Sequence, residues 1–277
     1  MSAERTLRGK TIFITGASRG IGEAMALRAA RDGANIIIAA KTTTAHAKLP
    51  GTIHTAAEAV EKAGGRALAV KTDIRFEDQI AAAIEQGVAE FGGIDIVINN
   101  ASALGLSGLL ETTPKMYDRM QDINARGSYM TIQAAMPYLL KADNPHVLNI
   151  SPPLNLNPKW FAGNTAYTLS KYAMSFWVLG MSGEFAEQGV AFNALWPRTA
   201  IATAAVRNLL GGEKMINASR RPAIMGDAAW AVLTRDSRAC TGNFLIDDEV
   251  LAEEGVTDLE QYAVVPGTPL FPDFFLD

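Results

Sequence analysis

The chain predicts an α/β fold, a single doubly wound parallel sheet of about seven strands with helices on both faces. Short, near-continuous apolar runs alternate with longer stretches of helical periodicity, and runs apolar throughout suit strands covered from both sides. A glycine-rich turn follows the first such run and opens the first helical stretch. No repeat, low-complexity tract or linker divides the 277 residues.

The strand runs are residues 11–15, 34–40, 66–71, 94–99, 146–151, 190–196 and 243–247. Helices are expected at 21–32, 53–63, 77–90, 114–140, 162–187 and 227–234. Such alternation implies right-handed crossovers between parallel strands. Two stretches interrupt it. Residues 198–225 are expected to close over a substrate, with Ile201, Val206, Leu209, Leu210, Met215 and Ile216 as an apolar lining. Residues 248–277 hold eight acidic residues and no Lys or Arg, with Pro266, Pro269, Pro272, Phe271, Phe274 and Phe275. That composition reads as an extended strap packed on the catalytic domain, residues 1–247, or on a neighbouring subunit.

The net charge of −4 and the scattered basic residues exclude a nucleic-acid footprint. Cys240 is the only cysteine, which rules out an internal disulfide and a cysteine metal cluster. His46, His54 and His146 lack metal-ligand spacing, so no metal site is expected. The first ten residues are charged and do not read as a signal peptide, and no apolar run approaches the ~20 residues of a membrane span. A cytoplasmic protein is the default expectation.

Gly16, Ala17, Ser18, Arg19, Gly20, Ile21 and Gly22 join the first strand to the first helix. Glycines there let the backbone turn tightly and approach a pyrophosphate, which then lies on the positive end of the helix; this is Rossmann-type architecture. Its position between strand and helix gives the motif weight that a bare glycine pattern lacks. The second strand ends in Ala39, Ala40 and Lys41, and the next acid is Glu58. NAD sites usually place an acid there for the adenosine ribose, whereas NADP sites place cations for the 2′-phosphate. Lys41 with Arg19 and Ser18 therefore favours NADP(H) over NAD.

The glycine turn, Asp73 after the third strand, Asn99, Asn100, Ala101 and Ser102 after the fourth, Asn124, and Tyr167-x-x-x-Lys171 stand in the order and spacing of the short-chain dehydrogenase/reductases, which the chain resembles. Segments 40–50, 149–158, 194–205 and the ending PDFFLD resemble the hydroxysteroid dehydrogenase-like subgroup. The resemblance implies cofactor contacts through the glycine turn, Lys41, Asp73, Asn100, Tyr167, Lys171 and Pro197. It implies Tyr167 as proton donor or acceptor, Lys171 on the nicotinamide ribose, and Asn124 holding a relay water. Members of that subgroup often carry a C-terminal sterol-carrier domain, and this chain is expected to stop before one. It also implies a homodimer or homotetramer built on the helices at 114–140 and 162–187, where Met174, Trp177, Val178 and Met181 extend the apolar surface.

Residues four apart share a helix face, so Tyr167 and Lys171 project together. A phenol ordinarily titrates near 10, and a neighbouring ammonium should lower that value towards the working pH. The family usually places a serine about thirteen residues before the tyrosine; here Ile150, Ser151, Pro152 and Pro153 occupy the region. Pro152 has no hydroxyl, which leaves Ser151, Asn155 or Asn157 to supply the hydrogen bond. Arg198 stands where the family commonly has glycine, and either binds an acidic substrate group or is solvated. The reading is an NADP(H)-dependent oxidoreductase acting on a hydrophobic carbonyl or secondary alcohol. The alternatives are a cofactor-binding regulatory or lipid-sensing protein with little turnover, and an assembly partner.

Overall fold

The computed structural model describes residues 5–46 and 49–277; residues 1–4 of the charged N-terminal stretch, and Ala47 and Lys48 of segment 40–50, lie outside them. Strands β1 (Thr11–Thr15), β2 (Asn35–Ala40), β3 (Arg66–Lys71), β4 (Ile96–Asn99), β5 (His146–Asn149), β6 (Ala191–Trp196) and β7 (Phe244–Ile246) form one parallel sheet in the order β3-β2-β1-β4-β5-β6-β7. The helices are α1 (Gly20–Ala30), α2 (Ile53–Lys62), α3 (Glu77–Phe91), α4 (Pro114–Met120), α5 (Ser128–Leu139), α6 (Thr165–Glu184), α7 (Gly212–Asn217), α8 (Ala223–Leu233) and α9 (Asp247–Glu253).

Successive strand side chains point to opposite faces, which splits the apolar runs between two cores. Ile12, Ile14, Ile36 and Ile38 meet Met25 and Ala26 of α1 and Met225 and Ala228 of α8. Phe13, Ile37 and Val97 meet Ile80 and Ile84 of α3, Ile132 of α5 and Val178 of α6. The strand order reverses between β1 and β4, and the crevice beyond their carboxyl ends is where open α/β sheets bind ligands. No helix among the described residues is long and apolar enough to cross a membrane.

Several boundaries differ from expectation for local reasons. β5 ends at Asn149, two residues early, just before Pro152 and Pro153, which lack the N–H that would extend a ladder. The helix expected over 114–140 is α4, a π-helical turn (Gln121–Gly127) and α5 in succession. α6 begins at Thr165 because Asn157 caps a separate 3-10 turn, Pro158–Trp160. Residues 198–225 contain a π-turn (Val206–Leu210) and α7. Their apolar residues do not share one wall: Ile201, Val206 and Ile216 are buried in the body, while Leu209 and Leu210 face solvent. The acidic stretch is not strap-like throughout either, since it opens on α9 and holds a 3-10 turn at Glu260–Tyr262.

Candidate active site

The glycine turn is held by side chains on the neighbouring strand ends. Thr15 Oγ1 accepts the N–H groups of Asn100 and Ala101, both at 3.0 Å. Asn100 Nδ2 donates to the carbonyls of Thr15 (2.9 Å) and Gly16 (3.1 Å), so Asn100 is a buttress of the turn. Gly16 has φ 70°, and a Cβ there would lie 2.9 Å from Ala101 Cα. A Cβ on Gly22 would meet Asn100 Nδ2 at 2.5 Å. Ala17 and Ser18 are buried, and Ile21 is half-buried.

Arg19 precedes α1 without capping it, and its guanidinium donates instead to the carbonyls of Pro50 (3.0 Å) and Gly51 (2.8 Å). The first-turn N–H groups of α1 thus have no cap from that side chain, and they carry the positive end of the helix dipole. This cradle fits a dinucleotide pyrophosphate. Ile53 N–H bonds Thr42 O at 2.9 Å, which brings the segment held by Arg19 beside Lys41. The exposed Lys41 ammonium lies 3.6 Å from Asp73. Arg75 forks onto the same carboxylate, with Nη2 at 2.6 Å from Oδ2. Against the penalty of partial burial, Arg75 and Lys41 hold the Asp73 carboxyl below its ordinary value. The spacing marks Thr15 as the start of the turn but not as its brace, and it does not mark Arg75; a cation two residues after an acid was the available signal for the latter.

Tyr167 and Lys171 lie one turn apart on α6, both buried. Lys171 Nζ donates to Ile150 O at 2.6 Å, approaches Met174 Sδ at 3.4 Å and sits 5.2 Å from the Trp196 ring centre. The Tyr167 ring stacks on Phe275, with centroids 6.4 Å apart. Burial, reinforced by Asp273, pushes the Tyr167 phenol well above its ordinary value. Burial also lowers Lys171 to about 7, opposed by Asp273. The expected lowering of the phenol by Lys171 is therefore not met in this packing. The ammonium is drawn to a main-chain carbonyl, and the chain's last residues cover the ring.

Asn124 lies in the π-turn between α4 and α5, an irregularity often found at functional sites. Its Oδ1 accepts from Ala103 N (2.7 Å), and its Nδ2 donates to Ala103 O and Ser170 Oγ, both at 2.9 Å. That side chain is committed, so it cannot also offer a donor to a water. Ser170, one residue from Lys171, is a partner that spacing alone did not reveal.

The groups expected to replace the missing serine differ in burial and in partners. Ser151 is fully buried and its hydroxyl has no hydrogen-bond partner. Asn155 Nδ2 donates to Phe275 O (3.4 Å) and Asp277 Oδ2 (2.8 Å), and Asn157 Oδ1 accepts from Lys159 N. Pro197 is buried directly after β6. Arg198 is partly exposed but ion-paired: its guanidinium pairs with Asp248 at 3.0 Å and with Glu249, which leaves it engaged before any substrate acid arrives.

A family model described as short chain dehydrogenase matches residues 10–213. The chain belongs to the short-chain dehydrogenase family. Hydroxysteroid dehydrogenase-like protein 2 of Xenopus laevis is 58% identical over 271 residues, 98% of this chain and 64% of the relative. This short-chain dehydrogenase thus spans somewhat under two thirds of that relative's length. A solved structure from Xanthomonas campestris superposes with a TM-score of 0.95 at 60% identity, covering 98% of this chain and 99% of the other. A short chain dehydrogenase of Mycobacterium thermoresistibile gives 0.93 at 50% identity, covering 98% and 96%. Short-chain dehydrogenases are oxidoreductases that bind nicotinamide cofactors.

Proposed function

We propose that this chain is an NADP(H)-dependent oxidoreductase moving hydride between the nicotinamide and a carbonyl or secondary alcohol of a hydrophobic substrate. The observation that carries the reading is the joint position of Tyr167 and Lys171 on α6, with Lys171 bound to Ile150 O just beyond the carboxyl end of β5. That end of the sheet also holds the glycine cradle. Gly16, Ala17, Ser18, Gly20, Ile21 and Gly22 would hold the pyrophosphate, with Asn100 fixing their turn. Lys41 and Arg19 would face the 2′-phosphate, and Asp73, Lys171 and Pro197 would line the remainder. Bound cofactor supplies or accepts the hydride. Tyr167 gives its proton to the carbonyl oxygen in reduction, and Lys171 stabilises the phenolate left behind.

Phe176 and Leu179 of α6 expose about half their surface, and we assign this face to contact with a second copy. Met174 and Val178, by contrast, are buried within the chain.

The test is NADPH oxidation with a panel of hydrophobic ketones and aldehydes, alongside direct titration of NADPH and NADH. The reading expects tighter NADPH binding and ketone reduction lost by ~10²–10⁴ in Tyr167→Phe. Equal turnover in the variant contradicts it. One observation favours a second reading, a cofactor-binding protein with little turnover: Phe275 lies on the Tyr167 ring. NADPH binding without Tyr167-dependent turnover would select that reading.

A further inference from the structure

We propose that Asp273, carried back to the catalytic helix by the last residues of the chain, is a further catalytic residue whose carboxyl group hydrogen-bonds the substrate oxygen beside Tyr167. The inference rests on the oxidoreductase reading above.

The segment that carries Asp273 is anchored from both sides. Phe271 N–H bonds Ala218 O, Ala200 N–H bonds Phe271 O, and Asp273 N–H bonds Arg198 O at 3.0 Å. Beyond Asp273, Trp196 Nε1 donates to Phe274 O at 2.9 Å, and Asn155 holds Phe275 O and Asp277. Phe275 adopts φ 73°, a conformation rare for a residue with a side chain, and is almost fully buried against Tyr167, Tyr172 and Trp196. This packing fixes Asp273 at the carboxyl ends of β6 and β7.

Asp273 is half-buried, and Phe274 N–H engages its Oδ1 at 2.7 Å. Its charge acts on both Tyr167 and Lys171. The titratable groups within electrostatic reach of it are Tyr167 and Lys171 from α6 and Asp247 from the start of α9, and Asp247 and Asp273 both bond the main chain of Arg198. Burial, with a smaller push from Asp247, raises its carboxyl to about 7 against the opposing Phe274 N–H and Lys171, so a substantial share carries a proton at neutral pH. A protonated carboxyl is a donor, whereas a carboxylate only accepts.

The chemistry gives such a donor a task. In reduction, hydride from the nicotinamide forms the new C–H bond, the C=O π pair moves onto oxygen, and that oxygen takes the Tyr167 proton. The products are an alcohol, oxidised cofactor and a phenolate that regains its proton from water. The developing oxyanion has more than one lone pair, and Tyr167 satisfies one. The Asn155 amide is committed to Phe275 O and Asp277, Asn157 lies exposed at the surface with its oxygen on Lys159 N, and Ser151 is fully buried. Asp273 supplies the second hydrogen bond without giving up its proton.

The experiment is steady-state NADPH oxidation with benzil, a hydrophobic diketone, across pH 5–9. It compares wild type, Asp273→Ala, Asp273→Asn and Tyr167→Phe. Asp273→Ala is expected to lose ~100-fold in kcat with NADPH affinity within about twofold of wild type. Asp273→Asn, which keeps a donor that does not titrate, should retain most of kcat and remove the fall that wild type shows as pH rises through about 7. The Asn variant alone decides the matter should the Ala variant not fold. Wild-type kcat in Asp273→Ala overturns the inference, as does an equal loss in both variants with the pH profile unchanged. If Tyr167→Phe loses turnover while both Asp273 variants keep it, only the Asp273 role fails. If Tyr167→Phe turns over like wild type, or wild type binds NADPH and leaves benzil unreduced, the oxidoreductase reading fails and this role with it.

Discussion

The two ends of the crevice are built differently. At the cofactor end, β1, β4 and α1 hold their geometry through backbone and short side chains: Thr15, Asn100 and three glycines, tied by bonds of about 3 Å. At the proposed catalytic end lie ionisable groups, Tyr167, Lys171 and Asp273, whose pKa values are shifted by packing that joins residues more than a hundred positions apart. The first end is sterically tight; the second is tunable and depends on the closing segment. A steric change should therefore damage the first abruptly, and a change of charge or pH should move the second by degrees.

Gly16→Val is the sharpest test of that contrast. The φ of 70° and the 2.9 Å approach to Ala101 should cost about 3 kcal/mol or more and abolish NADPH binding, read by urea denaturation and cofactor titration. A variant as stable as wild type would show that the turn tolerates a side chain and is not sterically tight.

His146, at the start of β5, offers a comparison by pH away from either end. Burial lowers its pKa to about 4, against 6.5 when unfolded. The unfolded chain then binds the extra proton as pH falls below 6.5, so stability declines between about 6.5 and 4, by about 3 kcal/mol. Above 6.5 the imidazole is neutral in both states and contributes no slope. His146→Gln should flatten that limb in denaturation curves taken across the window.

Lys41→Ala should weaken NADPH by roughly tenfold and leave NADH unchanged in fluorescence titrations, since one charge-assisted contact to the 2′-phosphate is lost. Equal loss for both cofactors would mean that Lys41 serves the turn and not the phosphate. The smallest effect on fold stability is expected from Phe176→Glu with Leu179→Glu on the exposed face of α6. Light scattering should show the assembly falling to a single chain while the melting temperature moves little; a monomeric wild type would contradict the assigned face.

The fold was legible because apolar runs such as 36–38 and 96–98 are buried on both faces, which only a covered parallel sheet requires. Strand ends were less so: β5 stops at Asn149 although the next residue, Ile150, is apolar, because the prolines beyond it act on the ladder. The glycine turn could be read from spacing, since its chemistry lies in consecutive residues. The family order marks Asn100 as a cofactor contact; in the fold its side chain braces the turn, a role visible only once β1 and β4 are adjacent. Asp273 and Phe275 could not be placed from sequence at all. Their aromatic and acidic character marked a docking segment, but the left-handed turn at Phe275 and the contact with Tyr167 arise only in the folded chain.

The most direct measurement follows the hydride itself. NADPH carrying deuterium at the transferable C4 position is incubated with benzil and the protein, and the product is analysed by mass and NMR. The account predicts a single deuterium on the carbinol carbon with wild type and almost none over the same interval with Tyr167→Phe. Product without that deuterium, or equal labelling by both proteins, would contradict it.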